Sequence, residues 1–377
     1  MLYLDHAATS PVRREVLEAM WPYLTGDFGN PSSHHTVGES AARGLPRARE
    51  QVAQFLGCRP AEIVFTGGGT EADNLAVKGI ALGQPRGRHL VTSAIEHEAV
   101  LESVDQLRRL HGFEVSFVSL TSEGVVTPRA LAGVVRPDTT LVSIGHANNE
   151  IGTVQDIAAL TDVTRAAGVP FHTDAVQSAG QLPVGISGLG VQALSISGHK
   201  LGAPKGTGAL FLSSRLAIEP VLSGGAQERG RRSGTENVAG AVALGAAVAL
   251  LGADAAPRTP AARDSFVAGV LARVPGARLT GAPTRRLPGH ASFVFPGTSG
   301  ESVLLELERR GVVSSSGSAC SAGSDEPSHV LTALGVDAEV AQTAVRFSWG
   351  ADVTEAQLEG AVGLLADSVA AVRGITA

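Results

Sequence analysis

The sequence predicts an α/β protein, with a large, mainly parallel sheet covered by helices and then a smaller α+β region. Three observations predict it. Short runs that are apolar throughout recur as far as residue 212, as strands do when helices cover both faces of a sheet. Longer amphipathic stretches separate them, and alternating strand and helix is the pattern of a parallel sheet. The chain has 377 residues, more than one ordinary domain, and its rhythm changes after about Pro257.

In order, the expected strands of the large sheet are Ile63–Thr66, His89–Thr92, Val115–Val118, Leu141–Ile144, Pro170–Thr173, Ala193–Ser197 and Gly208–Leu212. Helical patterns fall at Glu71–Leu82, Glu98–His111, Thr127–Val135 and Asp156–Ala167. Two of them end in glycine-bearing stops, His111-Gly112 and Ala167-Gly168. Val238–Gly252 is the most apolar stretch, but it is short for a membrane span and rich in Ala and Gly, so it reads as a buried helix. Ala253–Pro260 reads as a linker. Beyond it, strands Ala291–Phe295 and Val345–Ser348 mix with helices Glu301–Arg310 and Thr354–Val372.

Composition removes several function classes. With 44% hydrophobic and 18% charged residues the chain is not disordered. Thirty Lys and Arg against 36 Asp and Glu give a net charge of −6, which argues against binding nucleic acid by bulk charge. The two cysteines, Cys58 and Cys320, are too few for a disulfide scaffold and point to a reducing, cytoplasmic setting. The first residues reach Asp5 without a basic stretch and an apolar run, so neither a targeting segment nor a membrane partner is expected.

Chemistry concentrates in four segments at the ends of expected strands, where α/β proteins place their sites. In Thr66-Gly-Gly-Gly-Thr70-Glu71, a strand runs into a glycine triplet and a helix. Glycines let the backbone approach an anion, and the helix N-terminus favours negative charge. The ordinary alternative is a loop with Thr70 as N-cap. In His172-Thr-Asp174-Ala-Val-Gln177, an aspartate ends a strand in apolar surroundings, where it needs a cationic or strongly donating partner. A protonated heterocyclic nitrogen is one such partner; capping the next turn is the commoner use. In Ser195-Ile-Ser197-Gly-His199-Lys200, a desolvated lysine becomes a nucleophile able to form a Schiff base. Lys205, between Pro204 and Gly206, reads as a surface residue. In Ser314–Ser328, Cys320 lies among small and polar residues, the setting of a reactive thiol, whereas Cys58 reads as a bystander. A phosphate cradle, a carboxylate for a ring nitrogen and a Schiff-base lysine are the parts that pyridoxal 5'-phosphate requires.

With these residues in place, the chain resembles the cysteine desulfurases of the NifS/IscS kind, class V aminotransferases of the fold-type I pyridoxal-phosphate class. The resemblance covers nearly the whole chain. It rests on Tyr3-Leu-Asp5-His-Ala-Ala-Thr9, Asn30-Pro-Ser-Ser33, Thr70-Glu71, Glu96-His97, Asn148-Asn-Glu-Ile-Gly152, Asp174-Ala-Val-Gln177, Ser197-Gly-His-Lys200, Gly224-Gly-Ala-Gln-Glu228, Arg232–Asn237, Ser316–Cys320 and Arg346-Phe-Ser348. Departures from the commoner pattern are His6, Gly69, the order Gly202-Ala203 and Ala226; none removes a catalytic group.

The resemblance implies a large cofactor-binding domain over residues 15–254 and a small domain from 1–14 and 255–377 that carries the cysteine loop. It implies that Lys200 holds the cofactor covalently and later moves protons, and that His97 stacks on the ring and acts as acid and base. Asp174 would pair with the ring nitrogen and Gln177 with the ring hydroxyl. Gly69, Thr70, Ser197 and His199 would hold the phosphate, with Thr235 reaching in from the partner of a homodimer. Asn148 and Arg346 would bind the substrate carboxylate. Cys320, on a mobile exposed loop near the cleft mouth, would take sulfur from L-cysteine as a persulfide and pass it to an acceptor such as an iron–sulfur scaffold protein. No metal is implied. Selenocysteine lyase, another class V activity, and an inactive scaffold paralogue are the competing readings.

Overall fold

The structure is a computed structural model and describes residues 1–83, 85–254, 260–316 and 326–376. Its centre is a seven-stranded sheet in the order Ile63–Thr66, Gly208–Leu212, Ala193–Ser197, Phe171–Asp174, Thr139–Ser143, His89–Ser93 and Glu114–Val118. Gly208–Leu212 runs antiparallel to both neighbours, and every other pairing is parallel. Both faces are buried, except along the edge strand Glu114–Val118. One packs Val142, Phe171, Leu194 and Ile196 against helix residues such as Val52 and Leu160. The other packs Val64, Leu90, Leu141 and Leu210 against Leu75, Ile80 and Val104. This double coverage explains why the strands read as continuous apolar runs.

Helix Val238–Asp254 lies against helix Gly44–Leu56. Its small residues permit a close approach: a Cβ on Gly245 would come within 2.9 Å of the Ala48 Cα. The residues expected as a linker lie partly inside this helix; 255–259 fall outside the described residues, and the next helix starts at Ala261.

A second, antiparallel sheet orders Ala344–Ser348, His290–Val294 and Arg278–Leu279. Its core is aromatic, with the Phe266 ring 5.3 Å from Phe347 and 5.5 Å from Trp349, edge to face.

The first ten residues form a strap across the molecule. Leu2–Tyr3 pairs in parallel with Val312–Val313. Ser348 N–H then donates to the Leu4 carbonyl and His6 N–H to the Ser348 carbonyl, and Ser10 N–H reaches the His199 carbonyl. The strap thereby touches the end of the second sheet and the lysine segment of the first.

Some boundaries differ from expectation. The helix expected from Glu71 starts at Gly69, inside the glycine triplet. The helix expected over Thr127–Val135 is only Pro128–Ala132, with the Thr127 hydroxyl accepting from Ala130 N–H and Gly133 closing it. Helices Arg14–Thr25 and Thr36–Ala42 have no counterpart in the sequence reading. The first buries only Val16 and leaves Leu17, Trp21 and Leu24 exposed, so no core-facing stripe marks it.

Candidate active site

The carboxyl ends of the parallel strands open into a cleft of about 280 Å³. Gly69, Thr70, His97, Asn148, Asp174, Gln177, Ser197, His199, Lys200 and Arg346, all expected from the sequence, line it together with Asp73, Glu96 and the Ala7–Ala8 backbone.

The glycine triplet reaches the cleft because of strand register. Thr66 and Ser197 both stand opposite Gly208. A Cβ on Gly208 would lie 2.7 Å from the Gly68 carbonyl carbon, so only glycine lets the loop cross there. Gly68 has φ +151°, and a Cβ on Gly69 would meet Val176 Cγ2 at 2.8 Å and Ser197 Cβ at 3.3 Å. The start of the 15-residue helix Gly69–Gly83 thus lies beside Ser197, and its unpaired N–H groups suit an anion. Thr70 stands within the first turn rather than capping it. Gly67 N–H donates to Glu71 Oε2 at 2.8 Å, and Arg232 Nε to Glu71 Oε1 at 2.8 Å.

Asp174 ends its strand, and its Oδ1 accepts from Val176 N–H at 2.8 Å. Burial pushes its carboxyl above the usual range, while His97 and Lys200 pull it back. A cation at this spot would restore the ionised form. Gln177 Nε2 donates to the Ala7 carbonyl at 3.0 Å and keeps a second hydrogen. His97 caps helix Glu98–His111, its Nδ1 accepting from Ala99 N–H at 3.1 Å. The neutral ring therefore carries its proton on Nε2. Burial, Lys200 and Lys205 push His199 down to about 4, so it is neutral at pH 7; its Nδ1 lies 3.2 Å from Thr9 Oγ1. Lys200 Nζ donates to the carbonyls of Ala7 and Ala8, whereas Lys205 is exposed.

Arg346 is 1% exposed. Its Nη2 pairs with Asp5 Oδ1 at 2.8 Å and its Nη1 donates to the Asn149 carbonyl at 3.1 Å, while Nε has no partner among the described residues. The Asn148 amide fixes its own loop: Oδ1 accepts from Glu150 and Ile151 N–H, and Nδ2 donates to the Ile95 carbonyl, leaving one hydrogen for a ligand.

One predicted site residue is not in this cleft. Thr235 lines a second one, of about 150 Å³, with Thr66, Gly67 and Asn237. Cys320 lies outside the described residues; ahead of it in the chain, Ser315 and the cleft residue Arg346 exchange backbone hydrogen bonds of 3.2 and 2.7 Å. On the far side, Ser328 Oγ donates to Glu150 Oε2 at 2.5 Å, and His329 Nε2 lies 3.1 Å from the Glu96 carbonyl.

Sequence reasoning gave no role to Glu96, Asp73 or Asp5. Glu96 accepts from Ser93 Oγ at 2.5 Å and Gly145 N–H at 2.7 Å, and burial pushes it up to about 8. Asp73 is buried with its Oδ1 3.6 Å from His172 Nε2, and burial with Asp174 nearby drives it well above the carboxylate range. Their signals were adjacency to Thr70-Glu71, to His97 and to the opening Tyr3–Thr9 motif.

The donor set fits pyridoxal phosphate: helix-end amides and hydroxyls for the phosphate, a buried carboxylate for the ring nitrogen, and a lysine amine in the same cleft. The chain belongs to the class V aminotransferase family, whose model matches residues 2–360, and it is a pyridoxal-phosphate enzyme. Within that family its relatives are cysteine desulfurases. It is 44% identical to the cysteine desulfurase IscS of Dictyoglomus turgidum, over 100% of this chain and 96% of that protein. Among solved structures, a NifS-like protein superposes with a TM-score of 0.88 at 35% identity, covering 97% of this chain and 98% of that one. SspA in complex with cysteine superposes at 0.80 with 36% identity, covering 92% and 98%.

Proposed function

We propose that this enzyme takes sulfur from L-cysteine, releases L-alanine and holds the sulfur as a persulfide on Cys320. L-cysteine and the Cys320 thiol give L-alanine and the Cys320 persulfide, so atoms and electrons balance without an added oxidant. The observation that carries the reading is the convergence of Lys200, Asp174, His97 and Arg346 on one cleft, with Ser315 bonded to the Arg346 backbone. Full-length relatives named as cysteine desulfurases support it.

When bound, the cofactor supplies an electron-withdrawing ring that stabilises negative charge on the substrate carbon next to the amine. Lys200 holds the cofactor and moves the proton of that carbon. Asp174, ionised beside a cation, would pair with the ring nitrogen, and Gln177 would give its second hydrogen to the ring hydroxyl. His97 would lie against the ring and could exchange protons through Nε2, since its Nδ1 is taken by Ala99 N–H. Gly69, Thr70, Ser197 and His199 hold the phosphate. Arg346 and Asn148 orient the substrate carboxylate, and the guanidinium fork suits that task.

The finer reading is a cytoplasmic homodimer that donates sulfur to an acceptor protein such as an iron–sulfur scaffold. IscS names among the relatives support the acceptor class. The exposed apolar row Leu17, Trp21, Leu24 and Phe28 supports an interface, with Thr235 serving the partner's phosphate site. No helix among the described residues is long and apolar enough to cross a membrane. The large domain is proposed over 15–254 and the small one over 1–14 and 255–377.

Borohydride reduction of the yellow holoenzyme, followed by peptide mapping, should place the cofactor on Lys200; labelling of Lys205 overturns the assignment. Cys320→Ser should still change its visible spectrum with L-cysteine yet release almost no sulfide. Full desulfurase activity in that variant would mean a lyase that expels sulfur without a protein thiol.

A further inference from the structure

We infer that Asp5 is a positioning residue for the substrate carboxylate: it orients the Arg346 guanidinium and cancels its charge, which keeps amino-acid binding weak enough for turnover. The inference rests on the reading of Arg346 as the carboxylate site.

Arg346 projects from the strand Ala344–Ser348 into a setting where it is 1% exposed. A buried guanidinium needs a counter-charge. Among the described residues the one carboxylate paired with it is Asp5, at 2.8 Å. That contact and the one to the Asn149 carbonyl occupy Nη2 and Nη1 and fix the plane of the fork. The Nε hydrogen and the second Nη hydrogens remain for an incoming carboxylate.

The Asp5 backbone is held independently of its side chain, so the carboxylate is anchored beside Arg346 whether or not substrate is present. Its carbonyl accepts from Tyr3 Oη at 3.0 Å and Ala8 N–H at 3.0 Å, and Ala7 N–H donates to Ser348 Oγ at 2.8 Å. The substrate carboxylate therefore meets an arginine that is already neutralised. Attraction is reduced for substrate and product alike, while direction is kept.

Asp5→Asn keeps an oxygen acceptor for Nη2 and removes the charge; Asp5→Ala removes both. The measurement is the dissociation constant of L-alanine, read from the change in the holoenzyme's visible band, so that no turnover is needed. Asp5→Asn should bind L-alanine about tenfold more tightly than wild type, and Asp5→Ala about tenfold or more weakly, the latter because the guanidinium loses its direction. Wild-type affinity in both variants overturns the inference. Equal weakening in both also overturns it, since Asp5 would then only hold the strap, and circular dichroism checks that the fold is intact. Arg346→Lys is the control. If it binds L-alanine like wild type, the carboxylate-site reading has itself failed, which the two Asp5 variants alone would not reveal.

Discussion

Gly208→Ala isolates one close approach on which the cofactor cradle depends. The added Cβ would lie 2.7 Å from the Gly68 carbonyl carbon, 2.8 Å from its Cα and 2.8 Å from its oxygen. All three are backbone atoms, so no side chain can turn aside. Either the Gly67–Gly69 loop moves or the register of Gly208 opposite Thr66 and Ser197 gives way. Overpacking of this kind costs about 1–3 kcal/mol. Because the displaced loop begins the helix at the proposed phosphate end of the cleft, cofactor affinity should fall together with stability. Gly185→Ala is the matched control: its φ is −62° and nothing lies within 4 Å of the added Cβ, so its stability should stay within about 0.5 kcal/mol. Urea unfolding of the apoprotein and equilibrium titration with pyridoxal phosphate measure the two effects. If Gly208→Ala matches Gly185→Ala in both assays, the steric argument is wrong.

Three further substitutions test other parts of the structure. Glu96 has a folded-state pKa of about 8 against 4.5, so its stabilisation is whole below 4.5 and is lost as pH rises through 8; Glu96→Gln should flatten the fall in apoprotein stability over that window, and an unchanged slope would refute the assignment. Glu228 holds Arg49 through two contacts of 2.6 and 2.7 Å with side-chain exposures of 2% and 11%, so Glu228→Ala should lower the unfolding free energy by about 3–5 kcal/mol, checked by urea denaturation. Asp174→Ala should lower the rate of L-alanine formation about a hundredfold or more, with near-normal turnover counting against its pairing with the ring nitrogen.

The parts of the cleft that the sequence revealed sit where backbone pattern and chemistry coincide. Ser197–Lys200 and Asp174–Gln177 each end a short apolar run, so strand end and polar cluster mark the same place. Thr70 was legible for the same reason, although the helix starts one residue before it. What stayed hidden is nonlocal or structural. Asp5 and Arg346 are 341 residues apart, and no periodicity links them. The carbonyls of Ala7 and Ala8 have no side-chain signature at all. Glu96 and Asp73 carry ordinary acidic side chains whose meaning comes only from burial, which neighbours far along the chain create. Cys320 stood out in the sequence by composition, through the small and polar residues around it.

The strap of residues 2–10 also sets an order of events. The partners of these residues lie far along the chain, at 311–313, 346–348 and 199. Contacts across some 341 positions close more slowly than local ones, because the loop between them must be ordered. Until then the lysine lacks the Ala7 and Ala8 carbonyls and the arginine lacks Asp5. Two cationic side chains of the cleft thus depend for their partners on one strap, which only long-range docking brings into place.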